Sequence, residues 1–270
     1  GSPDYCVGDY EAWSAPVEDL SDWRRDGVIF PRVNEQNPTG EKCMWAPDVC
    51  RGADGKYYLY FCLAFDPAVR VAVCDTPAGE YTYLGVVHHP NGTPYGQGPN
   101  DKMCFDPGVY CAEDGTVYLY SGFCPPVGLQ MMLRSWGITN VDAAGSQVVH
   151  LDKDMLTVLE APKMLLPGTD NSAGTGFENH AFFEASSMRR VDGKYWLIYS
   201  SEVCHELCYA VSDYPDRDFT FGGVLISNGD IGYQGRTTAL NYWGNNHGSI
   251  EKINGQWYLV DLPGYGYAKM

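Results

Sequence analysis

The sequence predicts an all-β fold, a five-bladed β-propeller whose first and last blades are incomplete. Three observations lead there. A turn dipeptide followed by an aromatic-rich strand recurs four times in 270 residues. The copies stand about 60 to 80 residues apart, which suits a four-stranded blade better than a helical repeat. Between them, 31 Gly and 17 Pro punctuate short strand-like runs with little helical periodicity.

The four copies are DGKYYLYF at 54–61, DGTVYLYS at 114–121, DGKYWLIYS at 192–200 and NGQWYLV at 254–260. Asp-Gly and Asn-Gly accept the positive backbone angles of tight hairpin turns, and the aromatic and β-branched residues after them suit a strand, so each copy reads as the second strand of a hairpin. VRVAVCDTP at 69–77 and ELCYAVSDYP at 206–215 then read as third strands, because each ends in turn residues. Residues 1–30 read as the middle and outer strands of another blade with no hairpin before them, and little follows the last copy. Residues 1–270 are therefore expected to be one propeller domain, truncated at the N-terminus and also at the C-terminus.

Charge narrows the partners. Lys and Arg total 18 against 34 Asp and Glu, a net charge of −16 that repels phosphate backbones and anionic membranes. Nucleic acid is excluded as a natural partner, whereas a neutral ligand meets no such repulsion, and 20 Tyr and 7 Trp offer flat faces for sugar rings. The longest apolar run, residues 57–65, falls well short of the roughly 20 residues a membrane span needs. No signal pattern opens the chain, so a cytoplasmic location is the expectation. The ten Cys are read mainly as reduced thiols buried in strands. Cys204 and Cys208 bracket CHELC, but no second ligand pair of matching spacing completes a zinc site.

In a propeller the first strand of each blade lines the central channel, so its opening residues converge on one pocket. Asp106, in FDPGVY, lies eight residues before the second turn, and Glu184, in FFEASSM, lies eight before the third. Asp48, in MWAPDV, falls on the same strand face six residues before the first turn, and His247, in NNHGSI, seven before the last. Polar residues also precede strands simply because turns favour them. Two carboxyls aimed at one pocket raise each other's proton affinity, and glycoside hydrolysis needs such an acid.

MWAPDV, FDPGVY, FEASS and NNHGSI, each followed by its hairpin strand, resemble in order the blade-opening motifs of glycoside hydrolase family 43. The resemblance covers nearly the whole chain. It implies a five-bladed propeller that hydrolyses arabinofuranosides or xylosides with inversion. It assigns Glu184 as general acid, in a segment usually written Glu-Ala-Pro or Glu-Gly-Pro where this chain has Ser186, and Asp106 as the residue that orients that acid and tunes its pKa. It places His247 near a structural calcium ion or water in the channel, requires no other cofactor, and leaves Asp48 a mostly structural role. The family's general base opens a strand that would precede Gly1.

Trp45, Phe105, Phe182 and Phe183 flank the opening positions and are candidates for a sugar platform, with core packing as the alternative. Arg236 could reach a sugar hydroxyl from a Gly-rich connection. Glu178 competes with Glu184 as acid, and Asp4 and Asp9 are remote candidates for the base. A sugar-binding propeller without catalysis is the alternative function, and a fructan hydrolase or a glycoside phosphorylase is a third reading.

Overall fold

The computed structural model describes residue 6 and residues 8–240 and 246–262. Five antiparallel sheets follow one another along the chain. The first pairs β1 (Tyr10–Ser14) with β2 (Arg24–Phe30); the second is β3 (Met44–Arg51), β4 (Tyr57–Leu63), β5 (Val69–Cys74) and β6 (Thr82–Val86) in sequential order. The third runs β7 (Gly108–Cys111), β8 (Val117–Ser121), β9 (Gly145–Leu151), β10 (Lys163–Pro167), and the fourth β11 (Phe182–Val191), β12 (Lys194–Ser201), β13 (Glu206–Ser212), β14 (Thr220–Ser227). The fifth pairs β15 (His247–Ile253) with β16 (Gln256–Leu262).

This is the predicted propeller. The expected third strands are β5 and β13, and the first and last sheets are two-stranded among the described residues. The opening strand expected before residue 1 concerns a part of the chain outside the described residues.

Strand alternation explains how the sheets stack. In β4, Tyr58, Tyr60 and Cys62 pack on Val109, Val117 and Leu119 of the third sheet, while Leu59, Phe61 and Leu63 pack on Ile29 and Phe30 of the first. A strand buried on both faces must be apolar at every position, which is why YYLYFCL reads as an unbroken run. The same division repeats in β12, where Leu197 and Tyr199 face the third sheet and Ile198 joins Ile250 of the fifth. Every core cluster of this kind lies between two neighbouring sheets. The inner strands β3, β7, β11 and β15 touch in succession. Asn254 Nδ2 at the last hairpin donates to Val17 O at 3.1 Å, bringing the fifth sheet round to the first.

The hairpin turns are of two kinds. Asp192-Gly193 and Asn254-Gly255 have positive φ at both residues, the two-residue turn that Asp-Gly and Asn-Gly predict. At 54–55 and 114–115 only the glycine is left-handed, and Asp54 and Asp114 instead accept the N–H of Lys56 and Thr116 through their side chains. One element was not anticipated: helix α1 (Val127–Ser135), inserted between β8 and β9 and anchored by buried Gln130 and Leu133. Cys50, Cys62, Cys104, Cys124 and Cys208 are buried free thiols, as expected. No helix among the described residues is long and apolar enough to cross a membrane.

Candidate active site

The openings of the inner strands meet in a cavity of about 360 Å³, lined by Asp48 and its neighbours from β3, Asp106 and Pro107 before β7, residues 185–187 of β11 and His247 of β15. Local backbone irregularity aims these side chains. In β3, Trp45 pairs with Cys62 and Asp48 with Tyr60, so Ala46 and Pro47 bulge opposite one residue; in β11, Glu184 pairs with Ser200 and Ser187 with Ile198, so Ala185 and Ser186 do the same. A bulge redirects the side chains beside it, and both lie at the channel. Asp106 and Ala185 also hold left-handed backbone, at φ 45° and 66°. Such angles cost a non-glycine residue roughly 1–3 kcal/mol and cluster at functional sites. They also explain why Glu-Gly-Pro is an alternative in the resembling segment. Gly108 lets β7 approach β11, since a Cβ there would lie 2.4 Å from Ser186 O.

Two ionisable groups of the cavity lining, Asp106 and His247, meet Glu184, which stands next to the lining residue Ala185 without itself lining the cavity. His247 Nε2 lies 3.2 Å from Asp106 Oδ2 and 3.6 Å from Glu184 Oε1, and the ligand atoms of all three lie within 4.8 Å of one another. Asp106 and Glu184 are buried, at 3% and 5% exposure. Asp106 Oδ2 has no aligned hydrogen-bond donor, so its contact with His247 is an ion pair. Burial raises the Glu184 pKa; the contact with His247 pulls it down in part, and the Asp106 charge pushes it up again. For His247, burial acts to lower the pKa, but Asp106 and then Glu184 outweigh it, and the imidazole is pushed up to about 10. At neutral pH the cluster therefore holds an imidazolium beside a Glu184 carboxyl of raised proton affinity.

The other expected residues divide. Asp48 lines the cavity and clips two inner strands: Oδ2 accepts Val109 N–H and Oδ1 accepts Val49 N–H, both at 2.9 Å. Burial raises its pKa, opposed by the nearby Arg189 charge and these two bonds. Trp45, Phe105 and Phe183 are half-buried and linked in one array through Phe123, with ring centroids at 4.7, 4.6 and 5.5 Å. Phe182, the alternating neighbour, is fully buried in the core instead. Arg236 is exposed in its loop, with no described contact to Asp106, Glu184 or His247. Glu178 is exposed and accepts Gly174 N–H within its own loop. Phe65, Phe123 and Trp136 were missed. Phe65 and Phe123 follow the ends of β4 and β8 at the channel face, a position that reading only the inner strands passes over.

The family model described as Glycosyl hydrolases family 43 matches residues 5–265. The chain belongs to this family. It is 46% identical over 94% of its length to a xylosidase/arabinosidase of Thermoclostridium stercorarium, covering 52% of that protein. It is 30% identical to xylosidase/arabinosidase 43A of Humicola insolens, over 94% of this chain and 76% of that one. The chain thus spans about half the length of the first relative and more of the second. Among solved structures, RS223 β-xylosidase superposes with a TM-score of 0.67 at 26% identity, over 96% of this chain and 78% of that one. A family 43 β-xylosidase/α-arabinofuranosidase from a compost metagenome superposes with a TM-score of 0.66 at 27% identity, over 96% and 77%.

The family 43 base expected before Gly1, and Asp4 with it, lie outside the described residues. Asp9 is exposed and accepts Arg32 N–H at 2.7 Å, so it takes no part in the cluster. Calcium takes roughly six to eight oxygen ligands. The cluster offers two carboxyl groups and one imidazole already directed at them. Protein donors alone do not fit a calcium site there. In CHELC, Glu206 and Cys208 group with His180, without Cys204. Glu206 Oε2 is engaged by His180 Nδ1 at 2.7 Å and Ser201 Oγ at 3.1 Å, which suffices as a hydrogen-bonded structural group.

Proposed function

We propose that the chain hydrolyses terminal α-L-arabinofuranosyl or β-D-xylosyl linkages of plant-type polysaccharides or oligosaccharides, with inversion at the anomeric carbon and Glu184 as general acid. The observation that carries this reading is the convergence of the Asp106 and Glu184 carboxyls on one imidazole at the channel, in a chain of family 43. The names of the relatives support pentosides as the substrate class.

Burial raises the Glu184 pKa and so favours its acid form, and the carboxyl donates its proton to the departing glycosidic oxygen as the C–O bond breaks. The electrostatic effect of Asp106 beside it opposes ionisation of the acid. The His247 cation then stabilises the carboxylate left behind. An inverting acid and base stand about 6.5–9.5 Å apart with water between them, whereas the facing atoms of Asp106 and Glu184 lie within 4.8 Å. Asp106 therefore tunes the acid and is not the base. Asp48, with both oxygens holding backbone N–H groups, serves as a strand clip. The water-activating carboxylate is assigned to the strand the resemblance places before Gly1. Carboxyl groups carry the acid and base chemistry, so the reading requires no cofactor.

Its test is proton NMR of the first sugar released from aryl α-L-arabinofuranosides and aryl β-D-xylosides, by the protein carrying that preceding strand. Release of β-arabinose or α-xylose supports the proposal. Release of the retained anomer, or binding of pentose oligosaccharides without any turnover, would overturn it.

A further inference from the structure

The aromatic array at the openings of the inner strands continues outward. From Trp45 it passes to Phe65 at 5.2 Å and then to Trp136 at 5.0 Å, the two contacts at interplanar angles of 77° and 87°. Exposure rises along the way: Trp45 is half-buried, but Phe65 is 50% and Trp136 55% exposed. Phe65 and Trp136 touch each other, so their exposed faces form one contiguous apolar patch rather than scattered single side chains.

Two features hold these rings where they are. Phe65 has φ 56°, a left-handed angle that is a genuine outlier for a bulky residue and persists only where its surroundings impose it. Trp136 closes helix α1, the one α-helix among the described residues. Leu133 of that helix is buried with Met103 and Val141 against Phe105 and Phe123, two rings of the same array. Gln130 Nε2 donates to Pro125 O at 2.9 Å, and Arg134 Nη2 to Val141 O at 2.7 Å, fixing the helix to the loops on either side. The rim is thus rigidly tied to the catalytic wall.

We infer that Phe65 and Trp136 form a platform outside the cavity on which the sugars beyond the cleaved bond of a neutral pentose oligosaccharide stack. The inference rests on the glycosidase reading and extends it, since a two-ring corner continuing from Trp45, the chain neighbour of the cavity-lining Ala46, gives a chain of several sugars a place that a single pentose cannot fill. A net charge of −16 suits an uncharged ligand here. Preformed rings lose little entropy on binding, so stacking is retained as affinity.

Calorimetry with xylose, xylotetraose and arabinotetraose separates the platform from the chemistry. Phe65→Gly removes the ring and suits the left-handed backbone, so it does not depend on a strained position refolding. Trp136→Ala removes the second ring, and Phe65→Tyr keeps an aromatic face. The expected result is a loss of tetrasaccharide affinity of about tenfold for the double variant, with Phe65→Tyr close to the parent. The KM for the tetrasaccharide should rise while kcat on an aryl pentoside stays within twofold. Unchanged tetrasaccharide affinity in the folded double variant would overturn the platform and leave the glycosidase reading intact. A protein that carries the strand preceding Gly1 and yet binds and cleaves no pentoside would overturn both. A parent that sediments as a dimer, dissociated by Phe65→Gly, would assign the rings to a protein interface and overturn the platform alone.

Discussion

His247 Nε2 stands 3.2 Å from Asp106 Oδ2, and this contact joins the opening of β15 to the turn before β7 across the channel. Glu184 reaches the same nitrogen at 3.6 Å from the strand between them. One half-buried imidazolium therefore ties three sheets together and sets the electrostatics of the proposed acid.

Asp106→Asn should move the alkaline limb of the pH–rate profile to lower pH. The Asp106 charge raises the Glu184 pKa, so removing it lets the acid lose its proton earlier. Profiles of kcat on an aryl pentoside for parent and variant check this, and a limb that stays put or moves upward contradicts it.

Stability should fall between about pH 6.5 and pH 10. His247 has a folded pKa pushed up to about 10, above its value of 6.5 in an unstructured chain. A raised pKa gives a stabilisation that is complete below the unfolded value and disappears as pH rises through the folded one. The raised Glu184 pKa acts in the same direction at lower pH. Thermal denaturation of parent and His247→Gln across this range should show the parent losing its advantage as pH rises, and parallel curves would count against it.

Asp48→Ala should destabilise the protein by about 1–3 kcal/mol, because the buried Val109 N–H loses its acceptor. Urea denaturation measures it, and a change of a few tenths of a kcal/mol would show the clip to be dispensable.

Much of this was legible because a propeller repeats. Asp54, Asp114, Asp192 and Asn254 announce the hairpins, and counting back from Asp114 and Asp192 finds Asp106 and Glu184 at one register. Alternation alone does not say which face of a strand meets the channel, so Phe182 and Phe183 looked alike until one proved to be core. The bulge after Glu184 has no local sequence signature, since Ala185 is an ordinary residue in an unusual backbone. Helix α1 was not anticipated because a short insertion adds too few turns to disturb the surrounding strand pattern, and Trp136 went unseen with it. Arg236 was picked for its charge, but its exposed loop position depends on chain geometry that composition does not encode.

The most direct test of the acid assignment compares parent and Glu184→Gln on aryl pentosides whose leaving groups differ in basicity. The account predicts a fall in kcat of about 10²- to 10⁴-fold for a basic leaving group and a much smaller fall for dinitrophenolate, which departs without a proton. Equal losses on both substrates, or activity untouched by the substitution, would contradict it.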